Sequence, residues 1–295
     1  MRKWVFVMLS SILFIPLARA EECGLLNLAS CIPQKAYDFL IGIINAPLQP
    51  LLDLTRSLLT EPINLSLFLP LWSIILYALS LFYGLLMFYS GFNFIVSGHD
   101  AVKRARAKEW FRNIFIMIVL IQASYFIYSL TIETNSLLTA GIMNLINDQF
   151  FLLTADNIIN IGLQFFFGLL YVLILIITVI FLTLRYLIVA AGVVFVPIGI
   201  FLYFIPPLKD YGKLILNFLG VCIFLSFFDV LILLVSSRLL EVQLFENFKI
   251  LVMISAFLIT NFMMFYFMLF SALKSAFRTV NSVAAPVMAV AKYFA

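Results

Sequence analysis

Charged side chains are scarce in this chain: Asp, Glu, Lys and Arg together make up 11% of its 295 residues. An ordinary soluble domain carries about 25% charged residues, so this shortage excludes a water-soluble protein. Hydrophobic residues reach 65%, and the mean hydropathy is +1.16. Because lipid solvates such side chains and water does not, the composition predicts an integral membrane protein.

Residues that perform catalysis or bind metals are also few. The chain has one histidine, His99, and three cysteines. No His, Cys, Asp or Glu residues recur at the spacing of a metal site or a metalloprotease. No glycine-rich loop ends in Lys-Ser or Lys-Thr, which is the usual phosphate cradle. We therefore expect no catalytic residue, no metal and no cofactor, and we predict that the protein is not an enzyme.

Residues 1–20 are typical of a secretory signal peptide. A basic start is followed by an apolar stretch and by the small-residue sequence Ala18-Arg19-Ala20. Whether or not the peptide is cleaved, its basic flank stays inside and residue 21 emerges outside the cytoplasm.

The segment 21–62 is predicted to be extracytoplasmic and amphipathic. Cys23 and Cys31 lie eight positions apart in it, and in an oxidising compartment they would form a disulfide or remain two free thiols. Pro47 and Pro50 interrupt the apolar pattern, which predicts two short interfacial helices lying flat on the outer leaflet.

The remaining residues, 63–295, form the predicted polytopic membrane domain. Apolar runs of about 20 residues are long enough to cross a bilayer. The predicted transmembrane helices are residues 71–96, 113–132, 161–184, 214–237 and 250–273. Residues 135–160, between the second and third spans, have the amphipathic character of another interfacial segment on the outer face.

A sixth apolar run, residues 186–208, follows Arg185 directly. It is interrupted at Pro197, Gly199, Pro206 and Pro207. Broken backbone at membrane depth is tolerated where protein or a water-filled cavity covers it. We therefore predict an all-α fold of five transmembrane helices plus one broken re-entrant segment. A Pro-kinked sixth span is the alternative.

The basic residues favour the re-entrant arrangement. It leaves eleven Lys and Arg residues on one side of the membrane and four on the other, whereas a sixth span changes the counts to eight and seven. The positive-inside rule favours the more uneven distribution. We therefore predict a multi-pass protein of the cell membrane, with its mature N-terminus outside and its C-terminus in the cytoplasm.

The densest basic cluster lies in the predicted first cytoplasmic loop. Its members are Lys103, Arg104, Arg106, Lys108 and Arg112. Arg104, Lys108 and Arg112 repeat every four residues, which predicts a stripe along a short helix that Asp100 caps. One interpretation is a loop that sets the topology and binds anionic lipid headgroups. The other is a contact for nucleic acid or an acidic partner.

Asp229 is the only acid well inside a predicted span. A charge at this depth costs roughly 3 kcal/mol, so we expect its side chain to face the bundle interior. It would line a pore or couple to protons, or else form a structural hydrogen bond with a polar residue such as Gln122 or Asn217. Arg185, at a predicted inner helix end, is expected to extend to lipid phosphates.

Gly84, Gly91 and Gly98 recur every seven residues, the first two in the first predicted span and the third just after it. Small residues on one face let helices pack closely in lipid. We expect this face to pack against the second span of the same chain, and contact with a neighbouring subunit is the alternative.

Several segments carry a family resemblance. They are residues 89–100, 103–104 and 107–114, then 122–125 and 128–130, and finally 185–186, 196–199 and 205–208. They resemble the TrbL/VirB-six-like polytopic membrane subunits of type IV secretion and conjugation systems, and the layout is similar to the archaeal DNA-exchange membrane protein CedA. The hairpin 62–132 also resembles the two-span pilins of these machines, but the three further spans argue against a pilin.

This resemblance implies a membrane channel or assembly-platform subunit of a type IV secretion or conjugation-like DNA transfer apparatus. Such a subunit would work as an oligomer in membrane lipid, support pilus assembly, and contact pilin, an ATPase and DNA in transit. A small-molecule or ion transporter that uses Asp229 is the alternative from a different class. A membrane scaffold without conduction of its own is a third interpretation.

Overall fold

Long apolar runs with few helix-breaking residues form long helices throughout this chain. The computed structural model describes residues 28–147, 150–151, 161–242, 245 and 248–270. Helix accounts for 93% of that part of the chain, which contains no strand. The helices are α1 Leu28–Thr60, α2 Leu69–Val96, α3 Ala101–Met143, α4 Ile161–Phe204, α5 Lys209–Leu239 and α6 Lys249–Phe270.

Helices α2 to α6 are long and apolar enough to cross a membrane. For the described residues, the prediction of an all-α fold with five helices suited to a membrane is confirmed. In the described part of the chain, short 3₁₀ helices connect long ones at Leu65–Phe68, Ser97–His99 and Pro206–Leu208. The signal peptide prediction falls on residues 1–20, which lie outside the described residues.

The segment before the spans is one helix, which differs from the predicted pair of short helices. Helix α1 continues through Pro47 and Pro50 and packs along α4. Leu48 and Leu59 are buried in one core cluster with Tyr171 of α4. An interior proline costs a helix about 3 kcal/mol, and this burial offsets part of that cost. The prediction of two short helices was wrong because it ignored the surface of α4.

Helix α3 is longer than predicted at both ends. It has 43 residues, so the predicted span 113–132 is only its middle. The basic stretch forms its first turns, and Asp100 caps it by accepting hydrogen bonds from the backbone N–H groups of Val102 at 2.9 Å and Lys103 at 3.3 Å. The predicted cap is therefore confirmed, but the helix that it starts runs through the bundle.

Helix α4 has 44 residues and contains Pro197 in its interior. The predicted boundary near Arg185 does not occur, so residues 186–204 form neither a separate re-entrant segment nor a sixth span. The helix ends at Phe204. The next residue, Ile205, has the extended backbone angles φ −89° and ψ 113°, because a proline disfavours helical backbone in the residue before it. Pro206 and Pro207 then form the turn to α5.

The helices alternate in direction. Trp72 of α2 donates a hydrogen bond to Ser124 Oγ of α3 at 3.1 Å, and the rings of Tyr89 and Trp110 lie 5.0 Å apart. These two pairs show that α2 and α3 are antiparallel. The Tyr128 hydroxyl donates to the carbonyl oxygen of Val189 at 2.5 Å, which joins α3 to α4.

Helix α4 is central, because it packs against α1, α2, α3 and α5. It is antiparallel to α5, since Gly199 and Tyr203 lie against Gly212. It is parallel to α6, since the Tyr171 and Phe257 rings lie 5.8 Å apart and the Phe181 and Phe265 rings 6.2 Å apart. The α2–α3 turn and the α4–α5 turn therefore lie at the same end of the bundle.

Candidate functional site

The shared end of the bundle is strongly basic. Its basic side chains are Lys103, Arg104, Arg106, Lys108 and Arg112 of α3 and Lys209 and Lys213 of α5. All of them are exposed. Asp100, Glu109 and Asp210 are the acids in the same turns, so the end keeps a net positive charge. A charge of this kind attracts anionic partners such as nucleic acid, acidic protein or anionic lipid.

An open cavity of about 770 Å³ lies between the two turns. Lys103, Arg106 and Trp110 of α3 line it together with Tyr89 of α2 and Pro206 of the α4–α5 turn. The sequence placed the basic loop and the proline pair on the same side of the membrane, but it did not indicate that they form one site.

Helix α3 divides its basic residues between two sides. Lys103 and Arg106 face the cavity just described, whereas Arg104 and Lys108 line a second cavity of about 820 Å³ with Gly91 and Gly98. Lys108 and Arg112 line a third depression beside Phe111 and Phe115. The predicted stripe of Arg104, Lys108 and Arg112 is thus present, and it points away from the α4–α5 turn.

A second candidate site lies inside the bundle, between α4 and α5. Asp229 is fully buried and Arg185 is 6% exposed. Arg185 and Asp229 lie near each other on the two helices, although their side chains make no direct ion pair. Arg185 Nε donates to the carbonyl oxygen of Cys222 at 3.0 Å. Its Nη1 atom and both carboxylate oxygens of Asp229 have no hydrogen-bond partner in the protein.

These positions correct two predictions. Arg185 does not extend to lipid phosphates, because the helix continues past it and α5 covers its side chain. Asp229 is not a lone charge, because Arg185 lies near it across the α4–α5 interface. Gln122 and Asn217, expected as partners for Asp229, are both exposed.

Asn135 is a polar residue of this interior that was not predicted from the sequence. Its Nδ2 atom donates to Ile223 O at 3.0 Å and to Ser226 Oγ at 2.8 Å, and its Oδ1 atom has no partner. The second span was predicted to end at residue 132, which left Asn135 in a loop. The helical period of the buried residues Ile121, Tyr128 and Ile132 continues to Asn135, and that period was the signal that could have found it.

No family model, curated protein or solved structure matches this chain. Its function therefore has to be inferred from its own residues. Among the described residues, no three His, Cys, Asp or Glu side chains lie together as a metal site.

The glycine face and the two N-terminal cysteines are the remaining positions predicted from the sequence. A Cβ atom added to Gly84, Gly91 or Gly98 would meet nothing within 4 Å, so the prediction that this face packs against the second span was wrong. Cys23 lies outside the described residues, and Cys31 is in α1 with a side chain that is not described, so their disulfide stays a prediction.

Proposed function

We propose that this chain is a channel or assembly-platform subunit of a type IV secretion or conjugation-like DNA transfer apparatus. The observation that carries the proposal is the meeting of two distant turns, residues 97–100 and 205–208, at one basic end. Both turns belong to the segments that resemble the TrbL/VirB-six-like family. Residues that folding brings together, and that carry a resemblance to one family, favour a site of the kind such a family would use.

The positive-inside rule places this basic end in the cytoplasm. The N-terminal segment and α1 then belong to the outer side, and the C-terminus to the cytoplasm. In this orientation the exposed stripe of Arg104, Lys108 and Arg112 faces incoming DNA or an ATPase. The outer side, with α1, faces pilin, and several copies of the chain surround the passage.

Reversing the stripe tests its role. A triple variant with Arg104→Glu, Lys108→Glu and Arg112→Glu is expected to reduce DNA transfer between donor and recipient cells at least about 100-fold. Three phosphate contacts on single-stranded DNA account for a large electrostatic share of binding, and reversal replaces attraction with repulsion. Protein level and detergent-extracted size are measured in parallel, and both are expected to stay normal.

A conservative variant provides the matched control. Arg104→Lys with Arg112→Lys keeps every charge and is expected to retain transfer. Unchanged transfer in the charge-reversed triple variant, with its topology intact, would contradict the role proposed for the stripe. Loss of transfer in the conservative variant would show that charge is not the property that matters.

A second candidate, a transporter of ions or small molecules, is favoured by one observation. Asp229 is fully buried, with both oxygens unpartnered and an opposite charge on the neighbouring helix. Buried ionisable residues of this kind mark ion pathways and proton relays in membrane proteins.

Proton flux into reconstituted vesicles tests this candidate. If Asp229 carries protons, Asp229→Asn is expected to reduce flux, read by a trapped pH-sensitive dye, to the level of empty vesicles. Arg104→Gln, at the exposed end of α3, serves as the control and should leave the flux unchanged. Equal flux through the wild-type and Asp229→Asn proteins would contradict a proton pathway through Asp229.

A further inference from the structure

The cavity between the two turns at the basic end combines two kinds of surface. Leu86 and Val96 of α2 and Ile205 of the α4–α5 turn form an apolar wall. Lys103 and Arg106 contribute positive charge on another side. The volume of about 770 Å³ lies within the usual range of about 300–1,000 Å³ for small-molecule sites.

The cavity lies where an apolar helix surface gives way to basic residues. Phe88 and Ile95 of α2 are each 77% exposed, as expected of side chains that contact lipid. The Tyr89 and Trp110 rings meet edge to face at 5.0 Å beside the cavity, and tyrosine and tryptophan are enriched at headgroup level. The first basic residue of α3, Lys103, follows Val96 after the turn that connects α2 to α3.

The cavity offers side-chain charge to an anion rather than a free helix end. Asp100 already accepts hydrogen bonds from the first backbone N–H groups of α3. Its carboxylate also pairs with Lys103 at 3.7 Å, whereas Arg106 forms no ion pair with a described residue. Asn93 and Ser97 add polar groups to the lining.

We propose that this cavity binds one anionic phospholipid. Its phosphate lies between Lys103 and Arg106, and one acyl chain follows Leu86 and Val96. A phospholipid fits both surfaces at once, since it joins a negative headgroup to an apolar chain. The bound lipid connects the α2–α3 hairpin to the α4–α5 turn and thereby holds the two parts of the basic end together.

The second cavity, on the opposite side of α3, is a useful contrast. It has two cations, Arg104 and Lys108, but its remaining lining is glycine, alanine and phenylalanine. It therefore provides charge without the uncharged polar groups that bind a headgroup. Variants at Arg104 and Lys108 remove the same charge from the same helix and serve as a matched control.

Quenching of Trp110 fluorescence by brominated phospholipids tests the proposal. The full chain, with Trp4→Phe and Trp72→Phe so that Trp110 is the remaining tryptophan, is reconstituted in phosphatidylcholine vesicles. Brominated phosphatidylglycerol is expected to quench Trp110 more strongly than brominated phosphatidylcholine at equal mole fraction. One basic residue near an anionic surface contributes about fivefold in affinity, so Lys103→Gln with Arg106→Gln should abolish the preference.

Three outcomes would overturn the proposal. Equal quenching by the two lipids would exclude a site selective for anionic lipid. An equal loss of preference in the Arg104→Gln, Lys108→Gln control would show a diffuse charge effect instead of a site. Displacement of the lipid by millimolar inorganic phosphate would show that the cavity takes free phosphate.

Native mass spectrometry of the chain with its natural tryptophans provides a second test of lipid binding. The wild-type protein is expected to retain one phosphatidylglycerol at a collision energy that strips phosphatidylcholine, and the Lys103→Gln, Arg106→Gln variant is not. Retention of both lipids to the same extent would also contradict the proposal. Neither measurement depends on DNA transfer, so failure of the lipid site and failure of the proposed function are distinguishable.

Discussion

At the scale of single residues, the decisive feature is the pair of buried charges between α4 and α5. Arg185 and Asp229 lie in an apolar interior where attraction between opposite charges is strong. Neither side chain is fully hydrogen-bonded. Removal of one charge leaves the other buried without compensation, and that loss typically costs about 3–5 kcal/mol.

This arrangement predicts a non-additive effect on stability. Arg185→Leu is expected to lower the free energy of unfolding by about 3 kcal/mol. The double variant Arg185→Leu, Asp229→Leu should recover most of that loss, because two apolar side chains leave no uncompensated ionisable group in the interior. Unfolding by denaturant in detergent micelles, followed by circular dichroism, measures both. Additive losses in the double variant would show that the two charges do not interact.

At the scale of helices, glycine determines how closely α4 and α5 meet. A Cβ atom at Gly212 would lie 2.6 Å from the carbonyl oxygen of Gly199 and from the Cα atom of Tyr203. These are backbone atoms, which cannot move aside to relieve the overlap as the end of a flexible side chain can. At Gly199 itself, a Cβ atom would lie 3.1 Å from Ile215 Cγ2. The α4–α5 hairpin therefore needs glycine at its narrow end.

Replacing Gly212 tests this close contact. Gly212→Ala is expected to destabilise the protein by about 1–3 kcal/mol, the usual cost of overpacking. Gly220→Ala, in the same helix, is the control, because nothing lies within 4 Å of its added Cβ atom. That control should be neutral or stabilising by up to about 1 kcal/mol, since alanine is the better helix former. Similar melting temperatures for the two variants would contradict a close contact between α4 and α5 at Gly212.

Helix boundaries were the part of the fold that local sequence predicted least well. The spans were cut at Arg185 and at Glu133 because a charge next to an apolar run usually marks the membrane surface. In the structure α4 continues through Arg185, which α5 covers, and α3 continues through Glu133, whose side chain is exposed. Arg185 looks like the end of a span when only its neighbours in sequence are considered. The helix that covers it is distant in sequence, so local patterns do not reveal it.

At the scale of the whole molecule, the alternating helices place one set of turns at each end. The end with Lys103 to Arg112 and Lys209 is basic, whereas at the opposite end Arg238 pairs with Glu241 at 2.6 Å. The positive-inside rule predicts that the basic end is cytoplasmic. The orientation decides which partners each end meets, so the proposed function depends on it.

Cysteine labelling of intact cells tests this orientation. In a chain whose three natural cysteines are replaced by serine, Arg106→Cys and Lys213→Cys are expected to resist a membrane-impermeant maleimide. Glu241→Cys should be labelled, because it lies at the outer end. Permeabilised cells provide the control, in which all three positions should react. Labelling of residue 106 but not residue 241 in intact cells would reverse the topology and contradict the proposed function.

Hydropathy and the distribution of basic residues predicted an all-α fold with five helices suited to a membrane, and the described part of the chain contains five such helices. The fit of an apolar run to lipid is a local property. Local sequence also predicted that Asp100 caps a basic helix, since a cap depends on adjacent residues. Only the tertiary structure decided that Arg185 faces Asp229, that Asn135 is buried, and that Gly84 and Gly91 are not. Those outcomes depend on which surfaces meet, and the contacting residues are tens of positions apart along the chain.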